Sequence, residues 1–227
     1  MPTRTARPAL ISKSKVFLVE DHPVTRDGLA QLINYQDDLQ VCGSAGTAAT
    51  AKGGIETAQP DLAVVDVSLP DGHGIELVKD LRAIHPKLAI LVLSMHDEAL
   101  YAERAFRAGA SGYIMKQETT DVVLSAMRRI LRGETYLSPK MQARVVLRFA
   151  TGAPAPVTSE VEGLSDRELE VFELIGRGRS TSQIARQLRL SVSTVETYRA
   201  HLKEKLQLKS GTELIHRAVE WINQQRA

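Results

Sequence analysis

Cysteine is almost missing from this chain: 227 residues contain one, Cys42. A lone thiol closes no intrachain disulfide, so a stapled secreted scaffold is excluded and a reducing, cytoplasmic setting is expected. Cys42 lies in the strand-like Leu39-Gln40-Val41-Cys42 and reads as a small buried hydrophobe. No apolar run approaches membrane-spanning length, which excludes a helical span; no membrane partner is expected. Met1 to Ser14 carries Arg and Lys without an acid, but lacks the apolar core of a signal peptide; residues 1–13 are expected to form a disordered arm. Aromatic residues are scarce at 4%, and no internal repeat is visible. With 25% charged and 43% hydrophobic residues, the rest is a soluble globular composition. The length suits one large or two ordinary domains.

Charge is unevenly placed. The formal net charge of +2 hides a balance of −5 over residues 14–134, from 12 Lys/Arg against 17 Asp/Glu. Residues 161–227 hold 11 against 9. Within them, 161–173 is −4 (one basic, five acidic) and 174–209 is +6 (eight basic, two acidic). An acidic first domain suits a divalent cation. A compact basic stretch suits phosphate backbones, although lysines and arginines also simply solvate helix faces.

What is present is organised around Leu62-Ala63-Val64-Val65-Asp66-Val67-Ser68-Leu69-Pro70-Asp71-Gly72-His73-Gly74. Its apolar start reads as a buried parallel strand, and Pro70-Asp71-Gly72 is turn chemistry. Asp66 stands where the strand gives out, the end at which ligands collect in open α/β sheets. Alone, it would as readily cap the next helix. A second run, Lys15-Val16-Phe17-Leu18-Val19, ends in Glu20-Asp21. A third, Ala89-Ile90-Leu91-Val92-Leu93, ends in Ser94, and a fourth, Ser111-Gly112-Tyr113-Ile114-Met115, ends in Lys116. Parallel neighbours would gather Glu20, Asp21 and Asp66 at one edge. Such oxygen ligands suit magnesium with room for a phosphate, whose oxygens Ser94 and Lys116 could contact.

These residues, in this order, resemble the signature of a bacterial response-regulator receiver domain, and the segment from Asp66 to Gly74 resembles the NarL/FixJ subfamily. The likeness covers residues 14–134. It implies that Asp66 accepts a phosphoryl group from a sensor histidine kinase or phosphotransfer protein. It also implies that Glu20, Asp21 and Asp66, with the Ser68 carbonyl, hold Mg2+ or Mn2+, and that Ser94 and Tyr113 form a switch pair. His22 and His73 flank the site without metal-ligand spacing and read as loop residues. His96 is expected at the surface, or influencing the access of water to the phosphoryl group.

Strand patterns near 15–20, 39–44, 61–66, 88–94 and 111–115 alternate with helical ones near 24–36, 47–59, 73–85, 97–108 and 118–132. Five βα units predict a doubly wound parallel sheet. Gly109 and Gly133 read as helix stops. Residues 135–160 read as a linker, Pro-rich over 150–159, with room for a short helix from Ser138-Pro139 to Phe149.

Residues 161–227 read as four helices, starting at the Ser165–Glu168 capping box, at Ser180, at Ser191 or Ser193, and at Ser210. The second and third are joined by Arg189-Leu190-Ser191, a helix-turn-helix spacing over about 180–206. On the third, Val195, Leu202 and Leu206 share one face with Tyr198 beside them, while Ser193, Glu196, Thr197, Ala200 and Lys203 lie opposite. That is the pattern of a major-groove reader. Leu164 to Val171, Ile184-Ala185 and Ser193 to Tyr198 resemble the LuxR-type DNA-binding domain. Candidate DNA contacts are Ser193, Thr194, Glu196, Thr197, Tyr198, Arg199, His201 and Lys203. Many LuxR-type domains carry Lys and His where Glu196 and Tyr198 stand. Glu196 could accept from a cytosine amino group or close a capping box on Ser193. His201 is a phosphate contact or a helix-surface group. Leu214, Ile215, Ala218, Val219 and Ile222 form an apolar stripe, core by default; the resemblance adds dimerisation through Leu214, Ala218, Val219 and Ile222.

The fold class is thus α/β plus all-α: a (βα)5 receiver, a linker and a four-helix domain. The expected function is a DNA-binding, dimerising two-component response regulator. On phosphorylation Ser94 moves, Tyr113 follows inward, and the surface of the fourth helix and fifth strand releases the DNA-binding domain or pairs two chains. A phosphohydrolase is disfavoured because Ser68 stands where such an enzyme resembles Asp-x-Asp. A vestigial receiver is disfavoured because every acid and base of the set is present.

Overall fold

Local chemistry sets the elements. Short runs rich in Val, Leu and Ile extend as strands, and Ser, Thr or Asp before a helical pattern caps its start. The structure, a computed structural model, describes residues 12–151, 161 and 163–226. In chain order the first part is β1 (Ser14–Val19), α1 (Pro23–Asn34), β2 (Leu39–Ala45), α2 (Ala48–Ala58), β3 (Leu62–Asp66), β4 (Ser68–Leu69), β5 (Gly72–His73), α3 (Gly74–Ile84), β6 (Ala89–Ser94), α4 (Glu98–Ala108), β7 (Gly112–Met115) and α5 (Thr120–Leu131). Then come α6 (Pro139–Thr151), α7 (Asp166–Gly176), α8 (Thr181–Leu188), α9 (Val192–Lys205) and α10 (Gly211–Arg226).

The main sheet is parallel in the order β2-β1-β3-β6-β7. The order reverses at β1, which has β2 on one side and β3 on the other. The crevice therefore opens beyond the carboxyl ends of β1 and β3. Both strands are buried, which explains why their sequences read as apolar runs. One face packs Ile33 of α1 and Val123, Leu124, Met127 and Ile130 of α5. The other packs α2, α3 and α4, and its apolar cluster continues into the core of α7–α10.

The turn after Asp66 is more ordered than a loop. Ser68–Leu69 pairs antiparallel with Gly72–His73. Asp71 accepts from the backbone N–H groups of Ala48 (2.8 Å) and Ala49 (2.9 Å), tying the hairpin to the start of α2. Gly74 must lack a side chain: a Cβ there would lie 1.9 Å from the Asp66 carbonyl oxygen. Gly109 (φ 104°) and Gly133 (φ 83°) end α4 and α5 in the left-handed region, as their positions predict.

The receiver fold runs slightly past residue 134, since buried Tyr136 bridges to Gly112. The short helix expected in the linker is α6, with Ser138 Oγ accepting from Met141 N. Most of the expected arm and of the Pro-rich stretch lies outside the described residues. The second part has the expected helix starts, with capping boxes at Ser165/Glu168 and Ser180/Gln183. Ser191, not Ser193, caps α9.

Candidate functional site

β1 delivers Glu20 and Asp21, β3 delivers Asp66, and β7 delivers Lys116 to the same edge. One ligand atom each from Glu20, Asp21, His22 and Asp66 lies within 4.8 Å of the others. Glu20 and Asp66 are 2% and 3% exposed. Lys116 Nζ donates to Glu20 Oε2 (2.7 Å) and Asp66 Oδ2 (2.8 Å). Burial pushes the Asp66 carboxyl up to about 6, against the pull of Lys116, and Glu20 adds to the rise. Burial also opposes the Lys116 ammonium, but Asp66 and Glu20 outweigh it and raise its pKa. Buried Asp21 Oδ1 accepts no hydrogen bond, although His22 Nδ1 stands 2.7 Å away out of line. A compact carboxylate set with an unsatisfied buried oxygen fits a hard divalent cation. His22, read as a loop residue, thus borders the acid set through Nδ1 while its side chain stays 56% exposed.

Ser94 is fully buried at the end of β6, and its Oγ accepts from the backbone N–H of His96 (3.0 Å). Tyr113 is 1% exposed, and its hydroxyl donates to the His96 carbonyl (2.9 Å). Tyr113 thus already points inward in this structure, held by this hydrogen bond and the packing around its ring. His96 is not a surface residue: it is 8% exposed. His73 is fully buried rather than in an open loop. Its Nδ1 accepts from Ile75 N at the start of α3, and its ring lies 6.2 Å from that of Tyr101.

The partner that buries them is α7. His96 Nε2 lies 3.0 Å from Glu170 Oε1, and Nδ1 lies 3.3 Å from Glu173 Oε2. Ser68 Oγ donates to Glu170 Oε1 (2.9 Å), and Tyr101 donates to Glu173 Oε2 (3.0 Å). Arg167 and Arg177 take the remaining carboxylate oxygens at 2.6 and 2.5 Å. Arg104 of α4 donates to the carbonyls of Val161 and Leu164 and to Asp166. Burial disfavours an imidazolium at His96, but Glu170 and Glu173 outweigh it and raise its pKa to about 9. Burial acts against the Glu170 carboxylate too, yet His96 and Arg167 hold it well below the usual range. The acidic stretch 161–173 is therefore a docking face. Its only trace in the sequence was the −4 charge, which a solvated helix shows equally.

On α9, Ser193, Glu196, Thr197 and His201 are exposed, and Thr194, Tyr198, Arg199 and Lys203 are half-buried. Because Ser191 is the cap and Thr194 N donates to it, Glu196 closes no capping box on Ser193; it lies 3.6 Å from Arg199 instead. Val195 and Leu202 are core, as the pattern predicts. The apolar stripe of α10 is largely core, its default reading. Leu214 and Ala218 are fully buried and Ile222 is 8% exposed, because α10 packs so closely on α7 that a Cβ on Gly176 would meet the Ala218 carbonyl at 2.4 Å. Val219 and Ile215 remain exposed.

Residues 16–128 match the response regulator receiver domain, and 162–218 match the luxR family of bacterial regulatory proteins. The oxygen regulatory protein NreC of Staphylococcus carnosus is 37% identical over 210 residues, which cover 91% of this chain and 97% of that protein. A crystal structure of a LuxR-family two-component response regulator from Aurantimonas sp. aligns with a TM-score of 0.58 at 32% identity, over 61% of this chain and 99% of that one. RcsB from Salmonella enterica serovar Typhimurium, bound to promoter rprA in the presence of phosphomimetic BeF3-, aligns with a TM-score of 0.59 at 21% identity, over 90% and 98% of the two chains. With an acid-and-lysine pocket at its sheet edge and a helix-turn-helix behind it, the chain belongs to the DNA-binding two-component response regulators, those that join a receiver to a LuxR-type domain.

Proposed function

We propose that Asp66 is the phosphoacceptor and that its phosphorylation undocks α7. The observation that carries this reading is the double role of His96, whose backbone holds Ser94 and Tyr113 while its ring holds Glu170 and Glu173. The donor is a phosphohistidine on a sensor kinase or phosphotransfer protein. An Asp66 oxygen attacks phosphorus, the P–N bond breaks, and an acyl phosphate forms. Glu20, Asp21 and Asp66, with the Ser68 carbonyl, would hold Mg2+ or Mn2+, which supplies positive charge against the phosphoryl oxygens. Lys116, already on Asp66, supplies a second positive charge.

Ser94 then leaves the His96 N–H for a phosphoryl oxygen. The loop carrying His96 shifts with it, and the α7 carboxylates lose their partner. Freed, the second domain binds double-stranded DNA as a homodimer, with α9 in the major groove and the exposed Val219 and Ile215 of α10 available for pairing. The protein is a stoichiometric acceptor rather than a turnover enzyme, since Ser68 stands where an Asp-x-Asp hydrolase places its acid. Its place of work is the cytoplasm, where the DNA is; among the described residues no helix is long and apolar enough to cross a membrane.

The test is an intact-mass measurement after incubation with a small phosphoryl donor and Mg2+. One hydroxylamine-labile phosphoryl group is expected, absent in Asp66→Asn. Undiminished labelling of that variant at another residue rejects the assignment.

A further inference from the structure

We propose that Arg189 is a tethered counter-ion of the acidic pocket: it competes with a divalent cation for the Asp21 carboxylate, so that cation binding and undocking of the DNA-reading domain are coupled. The inference rests on the reading of Glu20, Asp21 and Asp66 as a cation site.

Arg189 is the C-cap of α8 and opens the turn that leads into α9. Its guanidinium donates to Asp21 Oδ2, 168 positions away in the chain. The side chain of Arg189 is 46% exposed and that of Asp21 is 5% exposed, so a half-solvated arginine closes a buried carboxylate from outside. The backbone there is left-handed (φ 54°), a conformation that favours glycine, yet an arginine occupies it.

Three carboxylates meet two permanent cations at this edge. Lys116 is bonded to Glu20 and Asp66, and Arg189 is bonded to Asp21. A divalent ion on Asp21 would share that carboxylate with the guanidinium, two like charges a few ångströms apart. The unsatisfied Asp21 Oδ1 gives the incoming ion an acceptor that Arg189 does not use. Once displaced, Arg189 lies at the turn into α9, and its planar donor fork suits a phosphate. One side chain thus exchanges an internal carboxylate for a DNA phosphate. By linkage, loss of Arg189 tightens the cation, and the cation loosens the docked domain.

The experiment is Mn2+ titration of the full chain without a phosphoryl donor, following the free-ion electron paramagnetic resonance signal. Arg189→Gly removes the guanidinium and suits the left-handed backbone. It is expected to bind Mn2+ about three- to five-fold more tightly than the unaltered protein, the scale of a part-exposed ion pair. Arg189→Lys keeps the charge and should stay near the unaltered value. In the unaltered protein, saturating Mn2+ should increase hydrogen exchange over residues 186–192. Equal affinities for Arg189→Gly and the unaltered protein, with binding lost in Asp21→Asn, overturn the competition and leave the cation site standing. Full binding by Asp21→Asn overturns the cation site itself, and this inference with it.

Discussion

His96 Nε2 stands 3.0 Å from Glu170 Oε1, which makes one histidine the joint between the receiver and the DNA-binding domain. The backbone of His96 is bonded to the hydroxyls of Ser94 and Tyr113, and its ring to two buried carboxylates of α7. A buried ion pair is fragile to loss of one partner, because the other charge stays buried without compensation. Docking is thus sensitive to small movements of this loop.

Glu170→Ala should open the molecule without phosphorylation. Removing one member of a buried pair costs roughly 3–5 kcal/mol, and the remaining contact of Glu173 with His96 Nδ1 favours the lower end. Small-angle scattering should show a larger radius of gyration, and DNA binding by the unphosphorylated protein should rise. An unchanged radius counts against α7 as the latch.

Docking should be strongest near pH 6.5 and weaken on both sides. His96, near 9 when docked and near 6.5 when free, contributes fully below about 6.5, and that contribution is lost as pH rises through 9. Glu170, Glu173, Tyr101 and the Tyr113 hydroxyl surround it. His73 has the opposite sign: burial lowers it to about 4 against the pull of Glu170 and Asp166. Its contribution is full above about 6.5 and is lost as pH falls through 4. Hydrogen exchange of α7 across this range is the check, and His96→Gln should flatten the alkaline side only.

On the proposed roles, with Asp66 as the attacking group and Lys116 as the reader of the new charge, Lys116→Ala should still accept a phosphoryl group to some extent but fail to switch. Burial and Glu20 then act on Asp66 with only the long Ser68 N–H hydrogen bond against them, so its pKa should climb above about 6. A carboxyl-carbon NMR titration reports the second effect. Normal phosphate-stimulated DNA binding by this variant would contradict the first.

Much of the acid site was legible because each member ends a strand whose apolar run is local: Glu20-Asp21, Asp66, Ser94 and Lys116 need only a parallel sheet to meet. The latch was not. Glu170 and Glu173 are three residues apart on a helix, and nothing local separates a solvated acidic face from one that finds His96 and Tyr101 more than 70 positions away. The apolar stripe of α10 was read correctly as apolar, but periodicity does not say which half faces the domain's own core. Close packing at Gly176 turns Ala218 and Ile222 inward, and Leu214 is fully buried with them. Ser191 and Ser193 are equivalent as caps in sequence; only the Thr194 N–H bond separates them.

The proposed DNA contacts divide by chemistry. Lys203→Ala should weaken binding about equally on all sequences and lower the salt slope by roughly one unit. Altering the exposed Glu196 or Thr197 should instead change preference at one base pair by about 1–3 kcal/mol. Titrations at several salt concentrations, on matched and mismatched sites with half-sites about 10 bp apart, distinguish the two. If Glu196→Ala leaves preference untouched, the base contact there is wrong.

The central claim is that phosphorylation of Asp66 releases α7 through His96. Hydrogen–deuterium exchange over residues 166–176, with and without a phosphoryl donor and Mg2+, tests it most directly when intact mass is recorded on the same sample. Faster exchange in α7 is expected on phosphorylation, and no change in Asp66→Asn. Unchanged protection of α7 in a sample shown to be fully phosphorylated at Asp66 would contradict it.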